Sequence, residues 1–256
     1  MKRSFYAFWM CWGMFCGIPC PVRIWDEEAR PRMISMLPLV GAVIGGVWVL
    51  LLLLLCAWAG LPPLVCGAVL GAAPWLLSGC IHLDGYLDCC DAIFSRRELS
   101  KRQEILKDSH VGSFAVIGMV LLAMLTLALW AEGAAVSLWG MGAIPVASRA
   151  CAALAVDHLR PMSSSQYAGA FAQKKRRSGD ALPLLLLALS LLLPALLDGG
   201  VSALAPACAA VGYGAAVAYG SRQLGGFSGD VSGFALTLGE LCGTAALTLF
   251  GRGILL

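Results

Sequence analysis

The stretch ISMLPLVGAVIGGVWVLLLLLLCAWA, residues 34–59, is apolar over its whole length and contains no charged side chain. At a rise of 1.5 Å per residue, a helix of this length can cross the roughly 30 Å hydrocarbon layer of a membrane. Six further apolar runs follow, at residues 62–80, 111–131, 133–156, 181–197, 200–220 and 234–250. We therefore predict an all-α protein, a polytopic integral membrane bundle of about seven transmembrane helices in one domain, residues 1–256.

The amino-acid composition also indicates an integral membrane protein. Hydrophobic residues make up 59% of the chain and charged residues 13%, which is more apolar surface than one soluble domain of 256 residues buries. Lipids are the expected surroundings. Nothing indicates a nucleic-acid partner, because that requires an extended basic and aromatic surface on a soluble fold. The eleven cysteines do not suggest a disulfide framework, since most fall in apolar runs or in segments predicted to be cytoplasmic.

The basic residues predict the orientation in the membrane. Sixteen of the eighteen Lys and Arg residues lie before residue 34 or in three loops that fall on the same side as that segment. Because Lys and Arg are retained on the cytoplasmic side, we expect the amino terminus and the polar segments there. The basic cluster at residues 174–177 is explained by this retention, with contacts to lipid head groups or a phosphorylated substrate as the alternative. Residues 1–36 are rich in Trp and predict an interfacial or re-entrant helix.

A polar segment at residues 82–108 interrupts the apolar runs and carries Asp84, Asp88 and Asp91 at positions i, i+4 and i+7. In a helix these side chains fall within about 60° of arc and form one acidic stripe. At separations of about 6 to 10 Å and an effective dielectric near 20, their mutual repulsion is roughly 7 kcal/mol, against about 2 kcal/mol in open water. A solvated acidic face is therefore the alternative if the segment is fully exposed.

At a membrane interface, a divalent cation is the expected neutraliser of this stripe. Oxygen-only ligands favour Mg²⁺, which commonly binds a few carboxylates together with substrate phosphates. This indicates phosphoryl or nucleotidyl transfer. Gly85 leaves room for a substrate group or for close helix packing. His82 lies on the other side of the predicted helix, which favours a structural role over a substrate contact.

Three further polar positions are predicted near the same side of the membrane. Asp108 and Ser109 precede the run at residues 111–131, where Ser109 either caps the helix or helps its free amides to bind phosphate. Glu240 lies in the last apolar run, where an ionisable group is costly and so indicates function. A glycine-rich turn either presents amides to anionic oxygens or only connects two spans; it contains Arg222, Gly225, Gly226, Ser228, Gly229 and Asp230.

Five groups of residues carry a family resemblance over nearly the whole chain. They are HLDGxxDxxD at residues 82–91, EILKDSxVGSF at 104–114, the pair Ser148–Arg149, LGGFSGDVSG at 224–233 with Glu240 after it, and the early segments IPCP and PLVG at 18–21 and 38–41. In these motifs the chain resembles the cobalamin synthase family, adenosylcobinamide-GDP ribazoletransferases that complete the nucleotide loop of vitamin B12.

The resemblance implies a Mg²⁺-dependent reaction at the cytoplasmic face of a bacterial inner membrane. A hydroxyl of α-ribazole, or of its 5′-phosphate, would attack the cobinamide-side phosphorus of adenosylcobinamide-GDP, and GMP would leave. Association with other nucleotide-loop enzymes and a homo-oligomer are further implications. The implied metal ligands are Asp84, Asp88, Asp91 and Asp230, with one of the first three or Asp108 as proton acceptor. The implied substrate contacts are His82, Gly85, Ser109, Arg149, Arg222, Gly225, Gly226, Gly229, Asp230 and Glu240.

The chain departs from the family pattern at two places. Ala92 stands where relatives usually have glycine, and Cys89 and Cys90 stand where they often have threonine before the third aspartate. A methyl group at position 92 would narrow the space near the metal, but the three carboxylates remain, so we expect an active enzyme.

Two other classes are the alternatives. A CDP-alcohol phosphotransferase also uses spaced aspartates in a membrane, but its longer motif, with DGxxAR and two further aspartates, is not present in this sequence. A cation-coupled transporter would place its charges near the middle of the bilayer, whereas here they cluster toward one edge.

Overall fold

In the computed structural model, residues 2–132, 135–162, 180–250 and 254–255 are described. Within them the chain forms ten α-helices, and α2 continues in a π-helical turn, Leu53–Trp58. The only strands among the described residues, Ala135–Val136 and Ile254–Leu255, pair antiparallel. The helices are α1 Lys2–Phe15, α2 Leu37–Leu52, α3 Pro63–Leu77, α4 Ile81–Phe94, α5 Leu99–Ile105, α6 Ser113–Glu132, α7 Leu138–His158, α8 Ala181–Leu197, α9 Leu204–Leu224 and α10 Gly229–Phe250.

The helices confirm an all-α, multi-pass membrane protein. Five stretches are long and apolar enough to cross a membrane, and the bent pair of α3 and α4 makes a sixth. The helix α8 is apolar but shorter, so the predicted count of seven is approximate. The five long stretches are Arg30–Trp58, Ser113–Ala131, Leu138–His158, Gly200–Leu224 and Gly229–Phe250.

The predicted run at residues 62–80 differs from the structure at its end. The helix α3 stops at Leu77, and the chain bends by 93° into α4. Gly79 and Cys80 take left-handed backbone conformations there, with φ of 67° and 60°. A helix cannot continue through such residues. The aspartates therefore lie on a separate helix, α4, whose axis is nearly perpendicular to that of α3.

The last helix begins at Gly229, five residues earlier than the predicted run at residues 234–250. Ser228 explains this start, because its Oγ accepts a hydrogen bond from the backbone N–H of Val231 at 3.2 Å. The preceding helix α9 ends at Leu224, and Gly225, which follows it, has a φ of 81°. The glycine-rich turn is therefore only residues 225–228, and Asp230 lies in the first turn of α10.

The helices α7 and α10 form the centre of the bundle, and α10 packs along α9, α4 and α7. Large apolar side chains remain exposed on the outer helices, among them Leu121 and Met124 of α6 and Leu196 of α8, as expected for a surface that faces lipid. All eleven cysteines are free in the structure. The basic cluster at residues 174–177 lies outside the described residues.

Candidate active site

The acidic stripe lies on one continuous helix, as predicted. The helix α4 runs from Ile81 to Phe94, so Asp84, Asp88 and Asp91 share a face. Asp84 is exposed and the other two aspartates are partly buried. The opposite face is packed into the core by Tyr86, Cys89, Cys90, Ala92 and Ile93. The methyl group of Ala92 is fully buried in that core, so the departure from the family pattern falls on the packed face of α4.

The start of α10 lies directly against α4 because glycines leave no side chain between them. A Cβ on Gly85 would stand 2.9 Å from both the Cα and the carbonyl oxygen of Asp230. A Cβ on Gly233 would stand 2.9 Å from the carbonyl oxygen of His82, which also accepts a hydrogen bond from Thr237 Oγ1 at 3.2 Å. This contact brings Asp230, which is 145 positions later than Gly85, to the acidic stripe.

Four carboxylates therefore share one region. The charges of Asp84, Asp230 and Asp91 act on Asp88, and the charge of Asp84 acts on Asp230. Within the described ranges, none of the four forms an ion pair. No group of three or more His, Cys, Asp or Glu side chains in this part of the chain is close enough to hold a metal ion by itself. The described carboxylates lie near one another but do not form a ready-made metal site.

Asp91 has a structural partner that the sequence did not suggest. Its Oδ2 accepts a hydrogen bond from the backbone N–H of Gly112 at 2.7 Å, and its Oδ1 accepts one from Ala115 at 2.9 Å. These are amides at the amino terminus of α6, where a negative charge is stabilised. Asp91 therefore caps α6 from a neighbouring helix, and part of the repulsion in the stripe is relieved by amides.

Ser109 does not cap this helix, which was one of the two roles predicted for it, because Asp91 accepts hydrogen bonds at its start and α6 begins four residues later, at Ser113. Ser109 and Asp108 are exposed in the loop that joins α5 to α6. Asp108 Oδ1 lies 2.6 Å from His110 Nδ1 and accepts the His110 backbone N–H at 3.0 Å. These hydrogen bonds from His110 lower the pKa of Asp108, which makes its carboxylate a weaker base.

The amides of the glycine-rich turn are mostly used within the protein. The N–H groups of Gly225 and Gly226 both donate to the carbonyl of Ser221, and that of Phe227 donates to Arg160. The interpretation of these amides as an anion site is therefore not supported by the geometry. Gly229 and Asp230 form the start of α10, so the positive end of that helix lies beside α4, where Gly85 contacts Asp230. Arg222 is exposed in the last turn of α9.

Arg149 and Glu240 lie inside the bundle rather than at its polar edge. Arg149 is fully buried and its Nη1 forms an ion pair with Glu240 Oε1, which also accepts a hydrogen bond from Ser148 at 3.1 Å. The pair connects α7 to α10. The implied contact of Arg149 with substrate phosphates would require a path into this interior, and the geometry instead favours a role in holding the two helices together.

His82 faces away from the aspartates, as expected if its role is structural rather than a substrate contact. Its ring stacks on Phe15 of α1, with centroids 6.0 Å apart and planes 8° apart. Its Nε2 is buried without a hydrogen-bond partner among the described residues. His82 therefore joins α1 to the beginning of α4.

Sequence reasoning missed Gly233, Thr237 and Ser228 as residues that position the site. A signal for two of them was present. Gly229 and Gly233 are four residues apart, which is the small-residue spacing that lets membrane helices approach closely. A serine directly before a helix is the usual N-cap signal. Thr237 had no comparable signal, because its partner is 155 positions away.

The fold and the site together define a class: a multi-pass α-helical membrane protein with an open group of carboxylates between two closely packed helices. The family model described as Cobalamin-5-phosphate synthase matches residues 7–248, and the chain belongs to that family. This makes it a transferase of cobalamin biosynthesis, and it excludes the two alternative classes.

Curated relatives are similar over almost their entire length. The "Adenosylcobinamide-GDP ribazoletransferase" of Clostridium botulinum (strain Alaska E43 / Type E3) is 30% identical over 257 residues, which cover 98% of this chain and 100% of that protein. The protein of the same name from Clostridium perfringens (strain 13 / Type A) is 31% identical over 253 residues, 96% of this chain and 99% of the relative. No solved structure matches the chain.

Proposed function

We propose that this protein transfers the adenosylcobinamide phosphate group of adenosylcobinamide-GDP to α-ribazole or its 5′-phosphate. The acceptor's hydroxyl oxygen bonds to the cobinamide-side phosphorus, the bond from that phosphorus to the bridging oxygen breaks, and GMP leaves with that oxygen. The names of the relatives support this choice of substrates. The observation that carries it is the contact of Asp230 with Gly85, which joins a fourth carboxylate to the acidic stripe.

The carboxylates fit Mg²⁺ as cofactor. Their ligand atoms are all oxygen, which is the donor type that Mg²⁺ takes in proteins. Because no three of the described carboxylates already converge on one point, substrate phosphates and water would have to complete the shell of the ion. Asp84, Asp88 and Asp230 are the proposed ligands. Asp91, whose two oxygens already bind α6, is in this proposal a positioning residue. When bound, Mg²⁺ would neutralise the diphosphate and favour attack at phosphorus.

Two kinds of protein group would assist the transfer: backbone amides that bind the phosphates and a carboxylate that accepts the proton of the acceptor hydroxyl. The amino terminus of α10 lies against α4 at Gly85 and would offer its amides and its positive dipole to the phosphates. The proton of the acceptor hydroxyl passes to a carboxylate. Because the lowered pKa of Asp108 makes it a weak base, we favour the stripe of α4 as acceptor. We also propose that the site faces the cytoplasm of a bacterial inner membrane, since the basic loops fall on that side.

The decisive measurement is GMP release by the detergent-purified protein supplied with Mg²⁺, adenosylcobinamide-GDP and either acceptor. Asp88→Asn removes a proposed ligand with almost no change in volume, and we expect it to lower the rate by about 10²-fold or more without changing the unfolding temperature. Asp198→Asn, at the exposed end of α8, is the matched control and should retain wild-type activity.

Two outcomes would contradict the proposal. Wild-type rates of GMP release by Asp88→Asn would exclude its role as a ligand. Absence of GMP release by the wild-type protein with both acceptors would exclude the reaction. Chelation of divalent ions should stop GMP release, and added Mg²⁺ should restore it.

A further inference from the structure

The turn that joins α2 to α3 holds two cysteine side chains next to each other. Cys56 lies in the π-helical turn Leu53–Trp58 that continues α2, and Cys66 lies in the first turn of α3. Both thiols are free. The side chain of Cys66 acts on Cys56 by hydrogen bonding as well as by charge, so the two sulfur atoms are direct neighbours.

The backbone of Leu61 holds both cysteines on the same side of this turn. Its N–H donates a hydrogen bond at 3.0 Å to the carbonyl of Leu55, the residue before Cys56. Its carbonyl accepts a hydrogen bond from Cys66 Sγ at 3.5 Å. The two cysteines also belong to one apolar cluster, in which Cys66 is buried and Cys56 is partly buried. The approach of the two thiols is therefore fixed by the path of the chain through the turn.

The turn lies at the far end of the first membrane crossing. Trp58, the last residue of that crossing, is 84% exposed, which is typical of an aromatic side chain at the boundary between membrane and water. No Lys or Arg occurs between Arg32 and Arg96, so in the proposed orientation the turn reaches the outer side. Disulfides persist in oxidising compartments outside the cytosol, whereas the cytosol keeps thiols reduced.

We propose that Cys56 and Cys66 are joined by a disulfide in the native membrane. This inference rests on the proposed orientation and not on the proposed reaction. Cys56, the more exposed thiol, loses its proton and attacks the disulfide of an oxidising protein on the outer side, and one sulfur of that protein leaves as a thiol. Cys66 then loses its proton and attacks the sulfur of Cys56, and the second sulfur leaves. One S–S bond forms in this chain, and one disulfide of the oxidant is reduced to two thiols.

The bond closes residues 56–66 into a ring between the first crossing and α3. Closing such a ring removes conformational entropy from the unfolded chain, and we expect the unfolding temperature to rise by about 5 °C. The disulfide also holds the outer end of α3, the helix that leads into the 93° bend before α4.

The first test uses the full-length wild-type protein in detergent, reduced and then oxidised with copper phenanthroline. Peptide mass spectrometry should find one peptide pair linked through Cys56 and Cys66, lighter by two hydrogen atoms than its reduced form. The oxidised protein should unfold about 5 °C above the reduced protein. Full alkylation of both cysteines by N-ethylmaleimide in the oxidised and then denatured protein would overturn the proposal, whether or not any variant folds.

Two variants identify the pair. Cys66→Ser should lose both the linked peptides and the rise in unfolding temperature on oxidation. Cys208 also acts on Cys242, but by charge alone, so the double variant Cys208→Ser with Cys242→Ser is the matched control and should keep both effects. Loss of the temperature rise in this control, with the rise retained in Cys66→Ser, would contradict the assignment to Cys56 and Cys66.

The second test reads the state of the pair in cells. Acid quenching of intact cells, followed by alkylation of the denatured membranes, should recover most of the chain with Cys56 linked to Cys66. A pair that is fully reduced in these membranes would overturn the proposal, even if it oxidises after purification. GMP release is measured on the same oxidised and reduced samples. A link without GMP release would contradict only the proposed reaction, and GMP release without a link would contradict only the disulfide.

Discussion

At Gly85, one added methyl group would lie 2.9 Å from two backbone atoms of Asp230, and backbone atoms cannot move aside cheaply. We predict that Gly85→Ala separates α4 from α10 and lowers the rate of GMP release by about 10²-fold, because a displacement of about 1 Å at a reactive site costs this much. Gly46→Ala is the matched control, since its Cβ meets nothing within 4 Å. Activity in Gly85→Ala within twofold of the control would contradict the prediction.

Asp91 allows a structural role to be separated from a catalytic one. Asp91→Ala removes both acceptors of the α6 amides, and we expect it to lower the free energy of unfolding by about 1–2 kcal/mol. Asp84→Ala removes an exposed carboxylate that caps no helix, and should abolish GMP release with the free energy of unfolding unchanged. Denaturant titration in detergent measures the difference. Equal stability of the two variants would show that the cap contributes nothing.

The spacing of residues along the chain predicted the position of a side chain only where its neighbours are close to it in sequence. The stripe of Asp84, Asp88 and Asp91 could be predicted because helical geometry alone aligns positions i, i+4 and i+7. The different role of Asp91 could not, because its partners are 21 and 24 positions later and depend on how α6 packs against α4.

At the scale of helices, the buried pair of Arg149 and Glu240 connects α7 to α10. Arg149→Met leaves the Glu240 carboxylate buried without its partner, and we expect a loss of about 3–5 kcal/mol in the free energy of unfolding. Combining it with Glu240→Leu removes both charges and should recover most of that loss. A double variant as unstable as the sum of the two single variants would show that the residues act independently.

The positions of the helices could be predicted better than their ends. Apolar runs long enough to cross a bilayer mark the long apolar helices, whereas α1, α4 and α5 lie outside these runs. The end of α3 at Leu77 depends on the left-handed conformations of Gly79 and Cys80, and a cysteine carries no signal for that conformation. The start of α10 at Gly229 was hidden because glycine suggests a turn, although this helix contains a second glycine, Gly233, that lets it approach α4.

For the whole molecule, the decisive question is on which side of the membrane each terminus lies. Seven crossings place the termini on opposite sides, whereas six crossings with a re-entrant α3 and α4 place them on the same side. We expect seven, because only that count keeps the basic loops together. An amino-terminal green fluorescent protein fusion should fluoresce, and a carboxyl-terminal alkaline phosphatase fusion should be active. Termini on one side would show that α3 and α4 re-enter.

The bend between α3 and α4 also determines how deep the chemistry lies. On an upright helix, residues 84–91 would extend over about 10 Å along the bilayer normal. A turn of 93° away from a crossing helix instead places those carboxylates at nearly one level. In the proposed reaction, the bulky, water-soluble donor would then approach sideways along the membrane surface, exchange its nucleotide end in a thin polar layer and depart by the same route, without any part of it entering the hydrocarbon.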